Sequence, residues 1–204
     1  MTNKKRGRFE KQKKKALFSG YEYPELRRFS GTEAKPILEE IKKRRKNDKI
    51  RIHLANYLIV RSVTMFEVFL LNQAYRKSKR NPRAKKLFSH IQTNGTIAEQ
   101  VISSFSFMNL DDINNVFSIL LNIDDYLEEI KKESIWYADS YSYEDAHIKY
   151  TNPLHKNWNV FLKVFELRHD IIHHNKHYVF NYFEIRNFVG MIIQFLMCSI
   201  SVTK

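Results

Sequence analysis

The stretch from Ile52 to Lys77 constrains the fold most, because it holds neither glycine nor proline and its apolar residues recur near the helical period. Leu54, Leu58, Met65 and Phe69 form one row, and Tyr57, Val60, Val68 and Leu71 form another. Rows this broad predict a long helix packed on more than one side. Asn81-Pro82 marks its end.

The rest of the chain points the same way. With 204 residues, 15 Phe and 11 Tyr the protein can bury a real core, while only 5 Gly and 4 Pro argue against a loop-rich sandwich or barrel. The expected fold class is all-α. Further helices are predicted from Ala34 to about Lys46, over Lys85 to Gln92, from Thr96 to Phe105, over Leu110 to Leu121, over Tyr126 to Trp136 behind an acidic cap at Asp124-Asp125, over Leu154 to His174 and over Tyr182 to Ser201. Ser140 to Asn152 reads as a loop whose Tyr141, Tyr143 and Tyr150 are candidates for stacking on bases.

Residues 1–33 mix basic charge with Gly7, Gly20, Pro24 and Gly31 and show no sustained apolar period. They are expected to form a basic, flexible arm with a short ordered piece from Tyr21 to Phe29, ahead of a single helical domain over residues 34–204. The opening Met1-Thr2-Asn3-Lys4-Lys5-Arg6 has charge without an apolar segment behind it, which does not fit a secretory signal. The lone Cys198 cannot form an internal disulfide, so the expected compartment is the reducing cytoplasm. The apolar run Asn187 to Val202 is shorter than the ~20 residues needed to span a bilayer and carries Gln194, so a buried terminal helix and no membrane are expected.

The formal charge of +13 is unevenly spread. Lys4, Lys5, Arg6, Arg8, Lys11, Lys13, Lys14 and Lys15 crowd the start, and Arg76, Lys77, Lys79, Arg80, Arg83, Lys85 and Lys86 form a second tract. Residues 109–145 are strongly acidic by contrast. Such basic tracts attract a phosphate backbone without reading its sequence, and the attraction weakens as salt rises.

The chemistry concentrates in Arg168-His169-Asp170-Ile171-Ile172-His173-His174-Asn175, a polar run interrupting an apolar helical pattern. A permanently charged guanidinium to hold phosphate oxygens and an imidazole that moves protons near neutral pH suffice to cleave a phosphodiester. On a straight helix Arg168 and His173 point about 140° apart, so either the helix ends by His173 or a second copy completes the site. Glu67, inside the apolar stretch Met65 to Leu71, is a candidate partner for Arg168.

The string Arg-His-Asp-Ile-Ile-His, Arg168 to His173, resembles the motif of HEPN domains, all-helical modules that include many metal-independent endoribonucleases. The resemblance extends over roughly residues 50–200 and is closest to the branch found in bacterial defence and toxin systems. It implies a HEPN-like helical bundle acting as a homodimer whose motif helices face one another across a basic cleft. Arg168 and His173 are then the catalytic pair, with His169, Asp170 and His174 in support, RNA as substrate, and no metal or other cofactor. Because a free nuclease would harm its own cell, an antitoxin or other regulatory protein is expected as a partner.

Two other readings compete. His169 and His173, four residues apart on a helix, match the spacing of two zinc ligands, with His177 as a third, although Arg168 beside them opposes a dication. A HEPN-like scaffold that binds RNA or a partner protein without cleaving anything is the non-catalytic alternative.

Overall fold

A computed structural model describes residues 23–79, 81–88, 96–138, 148–151 and 153–203. The fold is all-α, with eight α-helices and one short β-ribbon among the described residues. The basic arm up to residue 22, Arg80, Tyr141, Tyr143 and the end of the expected helix at Gln92 lie outside them, as does the side chain of Tyr150.

Among the described residues the order begins with α1 (Pro24–Arg28), which passes through a π-helical turn (Phe29–Ala34) into α2 (Lys35–Lys43). Leu26 and Phe29 are buried in the same core as the later helices. The boundary expected at residue 34 therefore falls inside a continuous helical stretch, and residues 24–33 belong to the domain. Pro24, at the first helical position, starts a helix rather than breaking one.

Asp48 then caps α3 (Lys49–Ser78), accepting from the Ile50 and Arg51 amides at 2.8 and 3.2 Å. This helix is the spine. It packs against α2, against α4 (Ile97–Ser104) and α5 (Leu110–Leu121), and against the two C-terminal helices, α7 (Pro153–His173) and α8 (Tyr182–Thr203). Its Leu58, Ile59, Val63, Phe66 and Leu70 are all buried, as its broad apolar pattern requires.

A 3-10 helix over Pro82–Phe88 follows α3, and α4 opens with a capping box in which Thr96 and Glu99 satisfy one another's exposed amides. Asn122, left-handed at φ 59°, closes α5, and Asp125 caps α6 (Tyr126–Lys132).

One expectation fails here. The helix expected to reach Trp136 stops at Lys132, and β1 (Ile135–Ala138) pairs antiparallel with β2 (Ile148–Thr151), inside the segment expected to be a loop. Ile135-Trp136-Tyr137 and Ile148-Lys149-Tyr150 are rich in β-branched and aromatic residues, which suit a pleated ribbon better than a helix end.

The C-terminal half is fixed by aromatic packing. Phe66 of α3 meets Phe161, Phe165 and Phe195 at ring-centroid distances of 5.8, 5.1 and 5.0 Å, and Phe161 stacks on Phe195 at 4.8 Å. Each such pair adds roughly 0.5–1.5 kcal/mol beyond its buried area. This cluster locks α7 against α3 and α8, and so fixes where the polar run at the end of α7 comes to lie.

By length and composition alone α3 and α8 are both apolar enough to cross a membrane. In this fold they pack on each other and on α7, and their apolar faces supply much of the shared core.

Candidate active site

The motif sits on the last turns of α7. From Phe161 onward this helix buries Phe161, Val164 and Leu167 and turns Lys163, Glu166, His169 and His173 outward. Its backbone departs from helical geometry only near its start, at Asn157 (φ −122°, ψ 23°). The segment from Arg168 to His173 is therefore regular helix, and the two side chains diverge by the expected ~140°.

Arg168 is half-buried, and its Nε is fully enclosed without a hydrogen-bond partner among the described residues. It lines a cavity of about 480 Å³ together with Met108, Phe165, Glu166, His169 and Asp170. His173 does not line this cavity and is exposed. Its ring instead lies 4.8 Å from that of His169, and His169 meets His174 edge-on at 5.2 Å. Three imidazoles thus gather at the exposed end of the helix.

Asp170 organises the turn beyond the helix. Asn175 adopts a left-handed conformation (φ 50°), directing the chain so that the His174 and Lys176 amides both return to the Asp170 carbonyl, at 3.1 and 3.2 Å. The Asp170 carboxylate accepts from His174 Nδ1 at 2.9 Å, from Lys176 Nζ at 3.0 Å and from the Tyr178 hydroxyl. These three donors, the hydroxyl foremost, hold its carboxyl well below the usual carboxylate range. Asp170 raises Lys176 and Tyr178 in return. All three donors come from the residues that immediately follow α7 in its own chain. Donation from Nδ1–H to Asp170 fixes the His174 tautomer and leaves Nε2 as an acceptor, the arrangement a general base needs.

The connector after α7 is clamped to the spine. Asn56, 3% exposed, donates to the Ile52 and Tyr178 carbonyls at 2.7 and 2.8 Å and accepts from the Tyr178 amide at 3.0 Å. Arg51 reaches the Phe180 carbonyl at 3.2 Å and the Arg44 carbonyl at 2.8 Å. Comparison with protein-family models, curated proteins and solved structures finds no match.

Other candidates resolve differently. Glu67 is half-buried, and the ion pairs of the described residues do not join it to Arg168. His177 packs edge-on against His53 at 5.4 Å. Among the described residues no group of three His, Cys, Asp or Glu side chains is placed to hold a metal ion, so His169 and His173 lack a third ligand. Lys176, Tyr178, Asn56 and Arg51 are not marked out by the sequence. The first two follow Asp170 by six and eight residues, a spacing that means nothing until the turn at Asn175 is known.

Proposed function

We propose that this protein is a metal-independent endoribonuclease of the HEPN type, a helical bundle that works as a homodimer in the cytoplasm, away from any membrane. The observation that carries the reading is Arg168, which has a buried, unpartnered Nε and lines a cavity beside a cluster of three imidazoles. A buried N–H without a partner calls for an absent acceptor, and a phosphate oxygen is one a guanidinium binds well.

In this mechanism His173 takes the proton from an RNA 2′-hydroxyl as that oxygen attacks the adjacent phosphorus. Arg168 stabilises the charge that builds on the non-bridging oxygens. A second imidazole, His169 or the Asp170-oriented His174, acting as the imidazolium with a proton on Nε2, protonates the leaving 5′-oxygen. The products carry 2′,3′-cyclic phosphate and 5′-hydroxyl ends, and DNA, lacking the nucleophile, is not cut. No step requires a metal, because the nucleophile belongs to the substrate.

The divergence of Arg168 and His173 supports a site completed by a second copy. Exposed Ile172 (48%) on α7 and Tyr57 (52%) and Val68 (47%) on α3 supply apolar surface for such an association. A role as toxin or antiviral-defence effector, held in check by an antitoxin or other regulatory protein, belongs to the same proposal.

The test is incubation of purified protein with structured and unstructured RNA in chelator, followed by end-group analysis. Cyclic phosphate ends are expected. His173→Ala should lower the rate by roughly 10²–10⁴ with helical circular dichroism unchanged. Cleavage that chelator abolishes and zinc restores would overturn the mechanism. RNA binding without any cleavage would favour the non-catalytic scaffold.

A further inference from the structure

The cavity beside Arg168 is larger and more varied than a phosphate requires. Five of its lining residues come from α7, where Phe165 and His169 share one row, Glu166 and Asp170 flank that row on one side and Arg168 flanks it on the other. Met108, from the turn between α4 and α5, completes the lining. A ring and a thioether give apolar surface, and a guanidinium plane gives a further stacking surface. These are the surfaces on which unstacked RNA bases are held.

The two carboxylates in this cavity are not equivalent. Asp170 already accepts from His174, Lys176 and Tyr178. Glu166 is exposed and makes no hydrogen bond or ion pair among the described residues. It is the acceptor left free to read an incoming edge.

We infer that the cavity formed by Met108, Phe165, Glu166 and Arg168 is a nucleobase subsite selective for guanine, in which the Glu166 carboxylate reads the base of the nucleotide whose 3′-phosphate Arg168 holds. A carboxylate only accepts hydrogen bonds. Guanine offers it two adjacent donors, N1–H and the 2-amino group, so both oxygens are satisfied at once. Adenine and cytosine present one amino donor beside an acceptor nitrogen. Uracil presents a single N–H flanked by two carbonyls that repel the carboxylate. The expected order is guanine first and uracil last, and cleavage falls on the 3′ side of guanosine. The inference rests on the ribonuclease reading for its orientation, but base binding itself does not depend on catalysis.

The experiment uses the full chain with guanosine, adenosine, cytidine and uridine 3′-monophosphates, titrated calorimetrically in chelator, alongside mapping of cleavage sites in a mixed-sequence RNA. Guanosine 3′-monophosphate should bind at least about tenfold tighter than the uridine compound, the scale of a good bidentate base contact. Glu166→Gln should remove that preference and raise adenosine, because a glutamine amide pairs one donor with one acceptor. Because Glu166 is exposed, the variant should fold, and circular dichroism checks this. Met108→Trp fills the cavity and should weaken all four mononucleotides. Equal affinity for the four bases, or a guanine preference that survives Glu166→Gln, overturns the inference. Base discrimination without RNA cleavage would leave the subsite standing and remove the nuclease reading. Cleavage indifferent to guanosine would do the reverse.

Discussion

Replacing Asn56 by alanine tests how the site is held. Asn56 sits on α3, yet two of its three hydrogen bonds go to Tyr178, in the connector that follows the motif. The change leaves the Tyr178 N–H and C=O without partners in a partly enclosed position. An unmade hydrogen bond at a buried polar group costs roughly 1–3 kcal/mol, and partial access to water moves both groups toward the lower end. The sum is about 2–4 kcal/mol. For a chain of this size 1 kcal/mol lowers Tm by roughly 2–4 °C, so a fall of about 4–16 °C is expected. Asn56→Asp should be worse at pH 7, because it keeps the acceptor for the Tyr178 amide but aims a charged oxygen at the Ile52 and Tyr178 carbonyls. Urea unfolding measures the loss, and amide exchange at Tyr178 localises it, since that N–H should lose its protection in Asn56→Ala. Stability within about 0.5 kcal/mol of wild type, with Tyr178 still protected, would refute the clamp.

Two further outcomes rest on burial and charge. Cys198 is buried on α8 and desolvation pushes its thiol up to about 12, so an aromatic disulfide reagent at pH 8 should label it only as fast as the protein unfolds; prompt labelling of the native protein would place it elsewhere. Because Asp170 is depressed in the folded state, the stability it contributes is complete above its ordinary value of 3.8 and is lost as pH falls below that value. The gap in unfolding midpoint between wild type and Asp170→Asn should therefore be full at pH 7 and shrink by pH 3; a gap independent of pH would mean that the carboxylate charge contributes nothing.

Much of the fold is legible in the sequence because its signals are local. Leu110–Leu121 has a polar cap before it and an Asn after it, and α3 is apolar on more than one side along its length. The ribbon is not legible, because Ile135 to Tyr137 continues the apolar pattern of α6 and only pairing with Ile148 to Thr151 decides against a helix. The site divides the same way. Arg168 and the histidines stand out by chemistry alone. The partners of Asp170 depend on a left-handed residue at Asn175, and those of Asn56 on a contact between residues 122 apart in sequence. Neither of these leaves a periodic trace. Met108 enters the cavity from a separate turn, and nothing in its neighbours Phe107 and Asn109 announces it.

The strongest geometric constraint on the proposed mechanism is that regular helix separates Arg168 from His173. If the two act on one phosphate, the arginine of one subunit works with the histidine of the other, and the proposed two-fold dimer then contains two composite sites. Mixing Arg168→Ala with His173→Ala makes the arrangement visible, since each variant alone lacks one half of every site. In a mixed dimer, one site combines both lesions and the other combines the intact arginine with the intact histidine. Random exchange at equal concentrations makes half the dimers mixed, each with one working site of two, so about a quarter of wild-type activity should return. Each variant alone should stay inactive at the same total concentration. Subunit exchange is checked independently with differently tagged chains. Proven exchange with no recovered activity would mean that Arg168 and His173 serve one site within a single chain, and α7 would then have to unwind before His173 when RNA binds.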